Sequence, residues 1–341
     1  MRWYWLHWID YLCYWRCTQS EYYSQCIPSS NPTTAPSNAP TTKPSTPSSA
    51  PPSSSSPPSS GGSKSPGCGK AAGISSGTFS ITVNGKNRQY IVRVPQNYNP
   101  SNGYKLIFAL HWLGGNMQAA QSIEGGYYGL QALAKELAIF VAPDDILLMD
   151  AILGKINNNL CVDTTQVFAT GFSYGAGMSY AIACARPDKF RAVALYAGVG
   201  IPTARLKNRS AWFHIFEIGF EPNRAEPSRG DPYAGAQLSG CAGGTKPIAF
   251  WSTHGIYDSV LPIANGRALR DHFLQVNGCQ AKNAPEHTSG QPHTKTVYTC
   301  NADYPVWYYG HNGGHVADPQ DPGQSTSWAP AEVWSFFSQF S

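Results

Sequence analysis

The chain has 341 residues, of which 42% are hydrophobic, 13% aromatic and only 13% charged, with a formal net charge of +4. A balance that small and that scattered argues against a nucleic-acid-binding surface, and no apolar run approaches the roughly 20 residues that span a bilayer. Low charge with abundant Tyr, Trp, Ser, Thr and Gly suits an extracellular protein that meets polysaccharide or aromatic ligands, and nine cysteines fit an oxidising compartment. None of the cysteines has a Cys-x-x-Cys or Cys/His zinc spacing, so a bound metal is not expected.

Residues 1–26 begin with a crowd of Trp and Tyr interrupted by Asp10, which is no recognisable signal peptide and reads as a truncated or wrongly assigned start. Their end, Cys17 to Cys26, resembles the close of a fungal-type cellulose-binding module, whose Tyr-Tyr-Ser-Gln-Cys run stacks on glucose rings. The resemblance makes Tyr22, Tyr23 and Gln25 sugar contacts in a truncated remnant lacking the module's glycine-rich front half. Residues 27–67 follow as a linker, 30 of the 41 being Ser, Thr or Pro, a composition that stays extended and suits O-glycosylation.

From Cys68 to Ser341 the pattern is globular. Phe79–Val83 and Tyr90–Val94 alternate apolar and polar around Asn84-Gly85, a β-hairpin with a type I′ turn. Lys105–Leu110 is an apolar run of the kind buried on both faces of a parallel sheet. Helix is expected over Leu130–Leu137, strand over Ala138–Pro143, helix over Asp150–Leu160, and strand over Val167–Thr170. Helix follows over Ala176–Ala185, strand over Arg191–Tyr196 and Pro247–Thr253, helix over Gly266–Val276, strand over Val306–Tyr309, and helix over Pro330–Phe340. Alternating units of this length imply an α/β fold, a mostly parallel central sheet with helices on both faces.

Gly171-Phe172-Ser173-Tyr174-Gly175 sits at a strand-to-helix turn, as a nucleophile elbow does. With 33 glycines in the chain, chance supplies such a motif in roughly one chain of this kind in three, so the motif alone is weak. Order strengthens it. Asp258 follows the next strand but one and His315 follows the last, giving the nucleophile, acid, histidine sequence of an α/β-hydrolase. Ser173 is the expected nucleophile, His315 its base and Asp258 the residue that orients the base, with His311 the competing histidine. His111-Trp112-Leu113-Gly114-Gly115 ends an earlier strand. Backbone N–H groups at Leu113 and Tyr174 would form the oxyanion hole, while His111 and His254 read as hydrogen-bonded wall residues.

Residues 68–341 resemble a fungal feruloyl esterase of the carbohydrate esterase family 1 type, close to those that carry an N-terminal cellulose-binding module. The matching stretches include Phe108–Gly115, Ala138–Pro143, Phe168–Gly175, Ala183–Pro187, Leu238–Cys241, His254–Pro262 and Trp334–Phe340. The resemblance implies a secreted, cofactor-free serine esterase acting as a monomer on feruloylated arabinoxylan or pectin, with Trp112 and Tyr174 against the phenolic ring. An acetyl-xylan or polyhydroxyalkanoate esterase and an inactive polysaccharide-binding protein are the alternatives.

Two departures from the family fall on loops. The connection Asp144–Met149 lacks a dozen or so residues, and residues 199–235 form an extra segment, either a retained intron or a lid with a glycosylation sequon at Asn208. Of the cysteines in the catalytic region, Cys279 and Cys300 flank one short segment and are expected to pair. Cys161 and Cys184 fall at one end of the sheet and form a second expected pair, which leaves Cys68 with Cys241.

Overall fold

The structure, a computed structural model, describes residues 15–19, 24–28, 63–145, 148–199, 246–301 and 303–340. The chain divides into two units, Met1–Pro58 and Ser59–Ser341. In the first, β1 (Trp15–Gln19) and β2 (Ser24–Pro28) pair antiparallel with Cys17 opposite Cys26. Gln25 lies on β2, while Tyr22 and Tyr23 fall outside the described residues, as does the segment 200–235 and most of the expected linker.

In the second unit Asn84 and Gly85 both take positive φ, 51° and 74°, as a type I′ turn requires. The expected hairpin forms around them from β3 (Gly77–Val83) and β4 (Lys86–Arg93). The remaining strands are β5 (Tyr104–Leu110), β6 (Ala138–Pro143), β7 (Val162–Phe172), β8 (Ala192–Tyr196), β9 (Ala249–Gly255), β10 (Thr294–Tyr298) and β11 (Val306–His311). They form one nine-stranded sheet in the order β10-β11-β9-β8-β7-β5-β6-β4-β3. The five contacts from β11 to β6 are parallel, and β3, β4 and β10 join antiparallel. This is the mostly parallel sheet that the alternating units imply.

Side-chain alternation along the strands sorts the core into two layers. Leu106, Phe108 and Leu110 of β5 face one cluster, and Ile107 and Ala109 face the other. The first is covered by α3 (Met149–Asn159), α4 (Tyr174–Ala185) and α5 (Ile263–Val276). The second is covered by α1 (Met117–Ser122), α2 (Leu130–Ala134) and α6 (Ala329–Ser338), which places Phe336 and Phe337 fully buried. Each such ring contributes about 1.5–3 kcal/mol by leaving water. Helix α2 stops at Ala134, short of the expected Leu137, because Lys135 and Glu136 turn left-handed at φ 43° and 67°. Neither α1 nor the edge strand β10 is anticipated by the sequence pattern.

The disulfides correct two of the three expected pairings. Cys279–Cys300 forms as expected, but Cys161 pairs with Cys68, not with Cys184, and the Cys68–Cys241 pair is thereby excluded. The reason lies in residues 63–67, at the end of the expected linker. Lys64 bridges Asp163, the Ser65 N–H donates to the Val162 carbonyl at 2.9 Å, and Ser65 Oγ donates to the Leu160 carbonyl at 2.7 Å. That polar seam lays the chain along the start of β7 and delivers Cys68 to Cys161. Cys184 is disulfide-bonded as well.

The Cys68–Cys161 bond closes 93 residues of chain, and restricting so long a loop in the unfolded state is worth up to about 4–5 kcal/mol. Cys68→Ser/Cys161→Ser is therefore expected to lower the thermal midpoint by several degrees and to leave secondary structure unchanged, read by circular dichroism during a melt.

Candidate active site

Strand β7 ends at Phe172 and α4 begins at Tyr174, so a single residue, Ser173, makes the whole turn. It does so at φ 55° and ψ −114°, a backbone conformation rarely open to a residue with a Cβ and worth about 1–3 kcal/mol of strain. The two glycines have steric causes. A Cβ on Gly171 would lie 2.5 Å from the Gly175 carbonyl carbon, and one on Gly175 would lie 2.3 Å from the Leu110 oxygen. The strain is held by the Ser173 N–H donating to the Tyr196 carbonyl at 2.9 Å and the Gly177 N–H donating to the Ser173 carbonyl at 3.0 Å. Ser173 is thus presented, partly exposed, above the carboxyl ends of the parallel strands.

His315 reaches the same point from the turn after β11. Its Nε2 lies 2.7 Å from Ser173 Oγ and its Nδ1 lies 2.8 Å from Asp258 Oδ2. An ionised carboxylate only accepts, so Nδ1 carries the proton and Nε2 is left to accept from the serine hydroxyl. The turn is anchored to β9 and the residues after it: the Ile256 N–H donates to the His311 carbonyl at 2.9 Å, and the Tyr257 N–H donates to the Gly313 carbonyl at 3.3 Å. His311 lies on β11 itself, buried, with Nδ1 accepting the Gly313 N–H at 2.9 Å. Burial and the neighbouring His254 and His287 push its pKa down to about 3, so the ring stays neutral and keeps that acceptor. The competing histidine shapes the turn, and His315 meets the serine.

Asp258 has no exposed side-chain surface. Burial alone would raise its pKa, but hydrogen bonds from His254, from His315 and from the Leu261 N–H outweigh burial and hold the carboxyl well below the usual range. Its Oδ1 accepts the Val260 and Leu261 N–H groups at 2.9 and 2.7 Å. Its Oδ2 takes His315 and lies 3.3 Å from His254 Nε2, whose principal acceptor is the Leu261 carbonyl at 2.6 Å. His254, expected as a wall residue, is packed behind the acid. Gly266 makes room for it, since a Cβ there would lie 2.5 Å from His254 Nδ1.

The two turns expected to supply oxyanion donors abut. A Cβ on Gly175 would touch the Leu110 and His111 carbonyls at 2.3 and 2.8 Å, which sets the residue before it, Tyr174, beside the turn that bears Leu113. That turn is closed by the Gly115 N–H donating to the Trp112 carbonyl at 2.9 Å, with His111 Nδ1 donating to the same oxygen at 2.8 Å. Trp112 meets Phe172 edge-on at 6.2 Å, and Phe172 in turn lies 4.7 Å from the His315 ring. Phe172 was not singled out by sequence reasoning, although its place inside the elbow motif is a usable signal. Tyr174 is half-buried and packs against the core. The Asp144–Met149 connection is pinned at its start, the Asp144 N–H donating to the Gln89 carbonyl at 3.0 Å and Asp145 pairing with Arg88. Among the described residues, no group of three or more His, Cys, Asp or Glu could hold a metal ion, and no helix is long and apolar enough to cross a membrane.

A serine hydroxyl, a histidine and a buried carboxylate in this relation form an arrangement that can activate a hydroxyl nucleophile. The prolyl oligopeptidase family model matches residues 144–278. Feruloyl esterase D of Neurospora crassa is 39% identical over 296 residues, 80% of this chain and 89% of that protein. Feruloyl esterase C of Emericella nidulans is 36% identical, covering 79% of this chain and 89% of that one. Among solved structures, an acetyl xylan esterase from Aspergillus awamori superposes with a TM-score of 0.51 at 17% identity, over 77% of this chain and 99% of that one, a likeness of fold.

The depressed Asp258 has a sign that can be tested. A carboxyl held below its unfolded value stabilises the fold above about pH 4, and that stability is lost as pH falls through the folded value. Wild-type protein should lose stability on acidification below pH 4, and Asp258→Asn should be less stable at neutral pH with a flatter acid dependence, measured by urea unfolding across pH 3–7.

Proposed function

The chain belongs to the feruloyl esterases, carboxylic-ester hydrolases on an α/β-hydrolase fold, and we propose that it hydrolyses feruloyl and related hydroxycinnamoyl esters on plant cell-wall polysaccharide through Ser173, His315 and Asp258. The observation that carries this reading is the unbroken chain of hydrogen bonds from Ser173 Oγ to His315 to Asp258, at 2.7 and 2.8 Å.

In the proposed reaction His315 Nε2 takes the hydroxyl proton as Ser173 Oγ attacks the ester carbonyl. Asp258 fixes the tautomer and stabilises the imidazolium, without itself taking the proton. The carbonyl oxygen, negative in the tetrahedral intermediate, is held by the N–H groups of Leu113 and Tyr174, each such donor being worth about 10²–10³ in rate. His315 then protonates the departing sugar alkoxide. A water activated by the same ring releases ferulate from the acyl-serine. Trp112, which meets Phe172 beside His315, supplies an aromatic wall for the phenolic ring, and Tyr174, next to the nucleophile in the chain, is the second proposed aromatic contact. We read the protein as secreted, in keeping with its disulfides, and as a monomer acting on feruloylated arabinoxylan or pectin. Tyr22, Tyr23 and Gln25 are proposed contacts to a cellulose surface.

Ser173→Ala should lower turnover of methyl ferulate by about 10⁴-fold or more while leaving binding of ferulate intact. Assayed in parallel, wild-type protein should release ferulate from methyl ferulate and feruloylated arabinoxylan faster than acetate from acetylated xylan. Activity on acetylated xylan alone would assign it instead to the deacetylases.

A further inference from the structure

We infer that Tyr128 is a positioning residue for the oxyanion hole: its hydroxyl clamps the end of β5 to the end of β7, and a left-handed run of backbone delivers it there. The inference rests on the proposed role of Ser173 and goes beyond it.

The β5–β7 ladder closes at Leu110 opposite Gly171. Just past that rung the two strands part, β5 into the turn that bears Leu113 and β7 into the elbow that bears Tyr174. Tyr128 Oη stands in the gap. It donates to the Leu110 carbonyl at 2.6 Å and accepts the Phe172 N–H at 3.2 Å, replacing the missing backbone rung with a side chain. The two residues it joins are the last of their strands, three residues before Leu113 and two before Tyr174. This hydroxyl therefore ties together the two strand ends whose close approach at Gly175 and Leu110 sets the two proposed oxyanion donors side by side. Burial holds the phenol well above its ordinary pKa, so the proton it donates to Leu110 is retained at any working pH.

What delivers the ring is unusual. Glu124, Gly125, Gly126, Tyr127, Tyr128 and Gly129 all have positive φ, at 53°, 77°, 130°, 52°, 58° and 72°. Three of these six are not glycine, and left-handed backbone is uphill for each of them. Such strain persists only where the surroundings over-determine it. Here the Tyr128 ring is fully buried and stacks on Tyr196 at 5.5 Å and 21°, while Gly129 lies against Pro330, where a Cβ would come within 2.7 Å of the ring. Tyr127, the other aromatic of the run, stacks on Phe140 at 4.8 Å and accounts for packing. Only Tyr128 turns its hydroxyl onto the ends of the strands that carry the site.

The test is Tyr128→Phe, which keeps the buried ring and removes the clamp, beside Tyr308→Phe, which deletes a buried hydroxyl that has no hydrogen-bond partner. A misplacement of about 1 Å in a reacting geometry is worth up to about 10² in rate. Tyr128→Phe should lower kcat on methyl ferulate about 10- to 100-fold with KM within twofold, whereas Tyr308→Phe should match wild type. Methyl thionoferulate gives a readout that loss of stability would not move, because sulfur accepts poorly from an oxyanion hole. The wild-type preference for oxoester over thionoester should shrink in Tyr128→Phe. Wild-type kcat, or a lower kcat with an unchanged oxoester-to-thionoester ratio, would overturn the inference. If Tyr128→Phe does not fold, Gly125→Ala carries the same readout, since its added methyl meets nothing within 4 Å and disturbs only the left-handed run. A compressed ratio there supports the clamp and an unchanged ratio overturns it. Activity surviving in Ser173→Ala would instead remove the reading beneath it.

Discussion

Everything in the catalytic end of this protein depends on how closely the first turn of α4 approaches the end of β5. Gly175 sits so near Leu110 that a methyl group in place of its hydrogen would lie 2.3 Å from a carbonyl oxygen. Packed interiors have no such slack to give. That contact forces the chain to reverse over one residue, holds Ser173 at its positive φ of 55°, and brings the Leu113 turn beside the elbow. The parallel sheet supplies the rigidity that sustains the strain. β7 is flanked by β5 and β8 over its last residues, and both core layers close over it.

The charges are arranged on the neighbouring pair of strands by the same economy. β9 and β11 run parallel, with Gly255 opposite His311, so the turns that follow them emerge side by side. One carries Asp258 and the other His315. The carboxylate is fully enclosed, yet four donors surround it: two backbone N–H groups and two histidines. Buried charge is tolerated only when it is hydrogen-bonded in this way, and a carboxylate so held cannot take a proton from His315. His311, one turn away, is kept neutral by its own burial and acts as an acceptor for the turn. Two histidines at the end of one strand thereby acquire opposite duties from their surroundings.

The sheet was legible because its strands advertise themselves. Ala138–Pro143 is apolar throughout and buried throughout, and the strand spans those same six residues. The elbow, acid and histidine could be ordered along the chain because each follows such a strand. What stayed hidden is non-local or lacks a period. The edge strand β10, Thr-Lys-Thr-Val-Tyr, has one covered face and few apolar residues. The Cys68–Cys161 bond depends on a polar seam, Lys64 and Ser65 against β7, that no hydrophobic pattern announces. Tyr128 sits in Gly-Gly-Tyr-Tyr-Gly, where neither helical nor strand periodicity applies. The glycines on both sides of two aromatics are the signal that regular structure stops there, but only the fold reveals what the second tyrosine joins.

The central claim is that Ser173 is the nucleophile and forms the covalent intermediate. The direct measurement is to inactivate the wild-type enzyme with a hydrophobic aryl phosphonate and map the adduct by peptide mass spectrometry, with residual methyl ferulate activity followed in the same samples. A single adduct on the peptide bearing Ser173, rising in proportion to lost activity, is the expected result. Full loss of activity with the adduct on another residue, or a stoichiometric Ser173 adduct with activity retained, would contradict it.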